Sequence, residues 1–196
     1  MLARAGQKAQ QDAARLRGDM ELAAQVSALF TSIGEQAQQA AQQQVQEFVT
    51  RGLQVVFAEN LSFHMVPSVK RGQVELQFVL RSTYGETVLE TAVMEARGGG
   101  MAAVVGFILR LVVLLLTPGA RRFLALDETF AMVSESYVPR LAEFLQEVTQ
   151  KAGMQILLVT HSTGYGDAAS QQYRLAAGAD GITQVFEGES ELWDSR

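Results

Sequence analysis

Two apolar runs in this chain end on titratable side chains. "FLAL", residues 123–126, leads directly into Asp127 and Glu128, and "QILLV", residues 155–159, is followed by Thr160 and His161. A carboxylate at the tip of a strand suits Mg²⁺, a hard cation that takes oxygen ligands, few of them from protein, and leaves other positions to water and phosphate. A carboxylate next to it can orient or deprotonate a water for attack on a terminal phosphate. A neutral imidazole nearby can hydrogen-bond that phosphate. Gly98, Gly99 and Gly100 precede another apolar segment. Three glycines opening a helix leave backbone N–H groups accessible and let an anion approach the positive helix end without interference from Cβ atoms. Each signal alone is common: glycine clusters are usually loops, and a lone histidine after a strand more often packs in a core. The order of the signals along the chain carries the reading.

These groups meet only if the two strands are parallel neighbours. The segment between them reads as a helix from about Ser136 to Ala152. Pro139 is tolerated in its first turn, Leu141, Phe144, Leu145 and Val148 form an inner face, Lys151 suits the C-terminal dipole, and Gly153 ends it. Strand, helix and strand with apolar strands imply a parallel pair joined by a right-handed crossover. Parallel neighbours end on one edge, which is where ligands bind such sheets.

Upstream, apolar residues recur at steps of three and four from Asp12 to Phe57, among them Leu16, Met20, Val26, Phe30, Ile33, Val45, Val49, Leu53 and Val56. The spacing predicts a long helix with one narrow apolar face, lying against another helix as in a coiled coil. For residues 40–57, a solvated amphipathic helix packed on its own domain fits equally well. The run "EQAQQAAQQQVQEF" reads as a neutral helix surface. The period then changes: residues 61–66, 73–82 and 86–95 alternate, separated by "KRG" and "TYGE", and predict an antiparallel β meander. His64 is a strand residue there. "MAAVVGFILRLVVLLL", residues 101–116, falls short of the ~20 uninterrupted apolar residues of a membrane span and carries Arg110. It reads as a buried helix, with no membrane partner.

Composition sets the outer bounds. The 196 residues are 48% hydrophobic and 19% charged, enough for one domain with a core plus an appendage. With no cysteine and two histidines, disulfides, thiolate metal sites and histidine clusters are excluded. A reducing, cytoplasmic setting fits, and "MLARAGQKAQQDAARLRGD" lacks the apolar stretch of a signal peptide. The net charge of −5 gives no general attraction to nucleic acid, so DNA contact needs a local patch such as Lys70 with Arg71 or Arg121 with Arg122.

Taken in order, the long helix, the β meander, the glycine triplet opening a helix, "FLALDE", a serine-containing loop and "ILLVTH" resemble the C-terminal lobe of an ABC-type ATPase head of the SMC and SMC-like DNA-repair group. The resemblance covers nearly the whole chain. It implies an α/β half-head with a helical arm over residues 1–57 and the ATPase lobe over residues 58–196. It implies ATP and Mg²⁺ as cofactors, with Asp127 of a Walker B motif on the metal, Glu128 activating water and His161 as the switch histidine. "TFAMVSES" stands where the D-loop lies, placing Ser134 at or near its key position. The signature motif, LSGGQ in the family, falls on "ARGGG": either Arg97 or, one register on, Gly98 takes the serine position, and Gly98, Gly99 and Gly100 supply backbone amides.

The phosphate loop of that family requires Gly-Lys-[Ser/Thr], and the lysines Lys8, Lys70 and Lys151 none of them follow glycine. The resemblance therefore implies a complementary lobe carrying the phosphate loop and the opposing coiled-coil arm, a second head bound across a dimer, and DNA held by the assembled complex. ATP hydrolysis is expected only with that lobe, in DNA repair, recombination or chromosome maintenance. Two other readings stand beside it: a scaffold that keeps the fold without chemistry, and a stand-alone metal hydrolase built on Asp127, Glu128 and His161.

Overall fold

The computed structural model describes residues 2–70, 72–95, 98–178 and 181–188, with residues 2–14, 70 and 74 described by backbone alone. The chain divides into two compact units, Met1–Gln44 and Val45–Arg196. Helix α1, Leu2–Phe57, runs through both. It begins well before the expected Asp12, because the preceding Ala, Gln, Lys and Arg residues are strong helix formers and none is proline. In the first unit the described residues are all helix, and Leu16, Met20, Leu29, Phe30 and Ile33 are exposed.

In the second unit, the last turns of α1 bury Val49, Leu53 and Val56 completely. Strands β1 (Leu61–Lys70), β2 (Gln73–Tyr84) and β3 (Thr87–Ala92) form the antiparallel meander in the order β1-β2-β3. The first two strands are longer than expected and the third is shorter, since the chain turns at Val93–Glu95 while Val93 N still bonds Phe78 O. The free edge of β1 is tied to α1 by side chains one turn apart. Gln46 Oε1 accepts from Met65 N at 2.7 Å, Thr50 Oγ1 accepts from Phe63 N at 2.9 Å, and Gln54 Nε2 donates to Leu61 O at 2.8 Å. Edge amides that would otherwise need water or another strand are satisfied in this way.

Helix α2, Gly99–Leu116, meets α1 where Ile108 faces Gly52, and it places Val104, Phe107 and Ile108 in the core. It is long and apolar enough to cross a membrane by length and composition, and its inner face is packed here against α1 and the helix that follows. Gly52 of α1 permits the approach: a Cβ there would lie 2.6 Å from Ile108 Cδ1. Strand β4 (Phe123–Asp127), helix α3 (Val138–Ala152) and strand β5 (Gln155–Val159) form the parallel unit, with Phe123 opposite Gln155 and Asp127 opposite Val159. Helix α3 starts at Val138 rather than Ser136. Pro139 has no N–H and its ring crowds the carbonyl four residues back, so the chain before it takes a 3-10 turn, Glu135–Tyr137. At the far end, Arg122 Nη1 donates to Ala152 O and joins the C-terminus of α3 to the start of β4.

The sequence reading contained no counterpart to the hairpin β6 (Tyr173–Ala177) and β7 (Thr183–Glu187), which pair antiparallel. Nor did it contain the 3-10 segment Thr163–Ala168. On β4 and β5 the inner face buries Leu126 and partly buries Leu124, Ile156 and Leu158. The outer face is open: Phe123 is 49% exposed, Leu157 53% and Val159 50%.

Candidate functional site

The carboxyl ends of β4 and β5 lie side by side, and the backbone extends their pairing by one bond, Glu128 N to Val159 O at 2.9 Å. Asp127 is the last residue of β4 and is exposed. Glu128 follows with φ of 46°, in the left-handed region. A non-glycine residue there costs about 1–2 kcal/mol. That conformation turns the chain sharply at the strand tip and brings Glu128 Oε1 to 2.8 Å from His161 Nδ1. An ionised carboxylate only accepts, so this contact puts the ring proton on Nδ1. The imidazole itself is exposed over most of its surface. The acidic doublet and the histidine thus share one solvent-facing rim.

The loop after Glu128 is held from below. Ala131 N bonds Glu128 O at 3.1 Å and Val133 N bonds Phe130 O at 2.9 Å. Phe130 is buried between Phe107 of α2, with ring centroids 5.5 Å apart, and Tyr165, at 6.4 Å. Ser134 is exposed at the start of the 3-10 turn, its carbonyl accepting from Tyr137 N at 2.9 Å and its hydroxyl making no capping bond. A cleft of about 420 Å³ opens between this loop and the segment after β5, bordered by Phe130, Glu135, Val138, His161, Thr163 and Tyr165.

The glycine triplet meets the same loop. Gly98 caps α2 with φ of 82°, which favours glycine. A Cβ on Gly100 would lie 2.6 Å from Met132 O, and one on Gly99 would lie 3.1 Å from the Met132 side chain. These two glycines therefore let the start of α2 close on the Met132–Val133 backbone. Arg97 lies outside the described residues, as does Arg71 of the first basic pair. In the second pair Arg122 is engaged at the end of α3.

The sequence reading missed Phe130, Tyr137 and Tyr165. The hydroxyl of Tyr165 is buried and has no hydrogen-bond partner among the described residues, and burial pushes the phenol up to about 12. The one available signal was an aromatic residue in each loop following a strand tip. Away from the rim, His64 of β1 pairs with Ser62 Oγ at 2.9 Å. Its pKa is lowered, chiefly by burial, with Arg81 adding to the effect and Glu90 opposing it.

The donor set bears on which cofactor fits. Among the described residues no group of three or more acidic or imidazole side chains converges on a metal position, so the stand-alone hydrolase lacks its ligand set. One exposed carboxylate beside a second is suited to a Mg²⁺ that brings phosphate oxygens and water as its other ligands.

The backbone superposes on solved heads of SMC ATPases. The fold is that of an SMC ATPase head. An SMC ATPase whose structural work concerns ATP-driven dimerization and DNA-stimulated activation superposes with a TM-score of 0.53 at 18% identity, over 73% of this chain and 84% of that one. An SMC head with an extended coiled coil bound to the C-terminal domain of ScpA, from Pyrococcus furiosus, gives 0.51 at 19% identity, over 72% of this chain and 34% of that one. The SMC head domain from Thermotoga maritima gives 0.51 at 18% identity, over 76% and 48%. The chain thus spans less than half the length of the two larger heads. No protein-family model matches the sequence, and no curated protein does.

Proposed function

We propose that the chain is the C-terminal lobe of an SMC-like ABC ATPase head, which hydrolyses ATP with a complementary lobe carrying the phosphate loop. The observation that carries this reading is the rim itself: Asp127, Glu128 and His161 on one exposed edge of a parallel pair, with Glu128 and His161 in contact at 2.8 Å. A scaffold has no physical need for a strained glutamate at that position. Bound there with ATP, Mg²⁺ would neutralise charge developing on the phosphates. Asp127 supplies the protein oxygen for the metal. Glu128 takes up or orients the proton of the attacking water. His161 is held by Glu128 through Nδ1, so Nε2 of the neutral ring is an acceptor. Donation from His161 to a phosphate oxygen then requires a second proton or release from Glu128.

The open face of β4 and β5 supports the partner lobe. Parallel strands are ordinarily covered on both sides, and Phe123, Leu157 and Val159 present an apolar surface that ends at the catalytic rim. The partner supplies the phosphate-loop lysine and the opposing arm, and the exposed apolar stripe of α1 from Leu16 to Ile33 pairs with that arm. A second head, DNA repair or chromosome maintenance as the setting, and DNA held by the complex complete the proposal.

The scaffold reading gains one observation, because Gly99 and Gly100 are accounted for by packing on Met132 and Val133 without any anion. Calorimetric titration of Mg²⁺ and ATP into the chain, alone and with a lobe bearing Gly-Lys-[Ser/Thr], separates the two. The ATPase reading expects no binding alone and micromolar-range binding with the lobe (about −8 kcal/mol). Assembly of the two lobes without nucleotide binding would leave the scaffold.

A further inference from the structure

The 3-10 turn Glu135–Tyr137 has two working sides. Glu135, with the adjoining Val138, borders the cleft that also contains His161. Tyr137 reaches the other way: its ring packs edge-on against Phe57, the last residue of α1, with centroids 5.0 Å apart at 70°, and its hydroxyl donates to Glu59 Oε1 at 3.4 Å. The end of α1 that receives these contacts is itself strained. Ala58 has φ of 51° and its N–H closes the helix on Gln54 O at 2.9 Å, the position where helices ordinarily place glycine. Beyond it, Glu59 O accepts from Leu61 N and Asn60 O from Thr83 N, so the joint is pinned to the β meander on its far side.

We infer that Tyr137 is a positioning residue that couples the His161 rim to the end of α1. A change at Ser134 or in the cleft displaces the 3-10 turn. Tyr137 N is bonded to Ser134 O at 2.9 Å, so the aromatic ring must move with the loop. Phe57 and Glu59 then follow, on either side of Ala58, the left-handed alanine just past the end of α1 whose backbone is costly to hold. Coupling is reciprocal, so a change at the joint must be felt at the loop. The ligand-free part of this inference stands on the contacts alone, and only its nucleotide part rests on the proposed ATPase function.

Hydrogen exchange on the full chain tests it. Ala58→Gly relaxes the joint. In the otherwise native chain it is expected to change exchange of the 131–137 amides by about threefold, the scale of a modest coupling energy. In a Tyr137→Phe background, which keeps the ring and loses the hydroxyl, that response is expected to shrink, and in Tyr137→Leu to vanish. A purely structural tyrosine would alter melting in those variants without abolishing the cross-response. An unchanged 131–137 segment in Ala58→Gly, or an equal response in Tyr137→Leu, overturns the inference. In a second arm, with Mg²⁺, ATP and the complementary lobe, Tyr137→Leu is expected to bind nucleotide while losing the nucleotide-dependent change at residues 53–60. Absence of nucleotide binding in the native chain would count against the ATPase proposal, and the first arm would still decide the coupling.

Discussion

Glu128 and Tyr165 show two kinds of local cost at the same edge of the protein. Glu128 is strained in the backbone and bonded to His161 in the side chain. Replacing it with glycine relieves about 1 kcal/mol of strain while losing a solvent-exposed side-chain pair worth about 0–1 kcal/mol. Chemical denaturation should therefore show a Glu128→Gly chain at least as stable as the native one, and a loss of more than 1 kcal/mol would contradict the strain argument. Tyr165 buries a hydroxyl that has no partner among the described residues. Tyr165→Phe removes an unsatisfied polar atom and keeps the ring against Phe130, so it should be neutral or stabilising by about 1 kcal/mol. The phenol also sets a pH dependence. Its folded pKa, about 12, lies above the ordinary value of 10.0, so its contribution is intact below pH 10 and is lost as pH rises from there toward 12. A Tyr165→Phe chain should lack that component of alkaline destabilisation in a denaturation series. His64 acts in the opposite sense. With its pKa lowered from 6.5 by burial, protonation below that value favours the unfolded chain, and stability falls as the solution is acidified.

Among the elements, the parallel unit was legible because its signals are local: an apolar run, a carboxylate, a helix closed by Gly153, then a second apolar run. β5 falls on the expected residues, and β4 extends one residue further, to Asp127. The β6–β7 hairpin was not legible, since "YRLAA" and "TQVFE" are short and weakly alternating. The glutamine run 35–48 reads as a neutral helix surface, yet Gln46 within it and Thr50 and Gln54 just beyond it do more. Gln46, Thr50 and Gln54 recur every four residues and bond the edge of β1, a relation that composition cannot reveal because the partner is remote in sequence. Thr50→Val keeps the shape and leaves Phe63 N without its acceptor. It should cost about 1–2 kcal/mol, measured by urea unfolding, and a loss below 0.3 kcal/mol would mean that water replaces the bond freely. The glycine triplet divides between two causes. Gly98 answers a backbone angle, and Gly100 answers contact with Met132 O. Gly100→Ala must push two backbones apart and should destabilise by about 1–3 kcal/mol, whatever the triplet does with phosphate.

For the whole molecule, the sequence placed an acidic doublet and an imidazole on one rim through topology alone, and the structure brings Glu128 and His161 into direct contact there. The ordering of motifs pointed to an SMC-type head, and the backbone has that fold. What topology could not show was the open outer face of β4 and β5, because an apolar residue in a strand reads the same whether its cover belongs to this chain or to another. In the proposed function, the rim where Glu128 meets His161 carries hydrolysis and the open apolar face beside it receives the partner lobe. The most direct measurement is steady-state ATP hydrolysis with Mg²⁺ by this chain, by the phosphate-loop lobe, and by the two together, in native and Glu128→Gln forms. The account predicts turnover only in the mixture, and a fall of about a hundredfold or more in Glu128→Gln with association of the lobes preserved. Undiminished turnover by the Glu128→Gln mixture would contradict it.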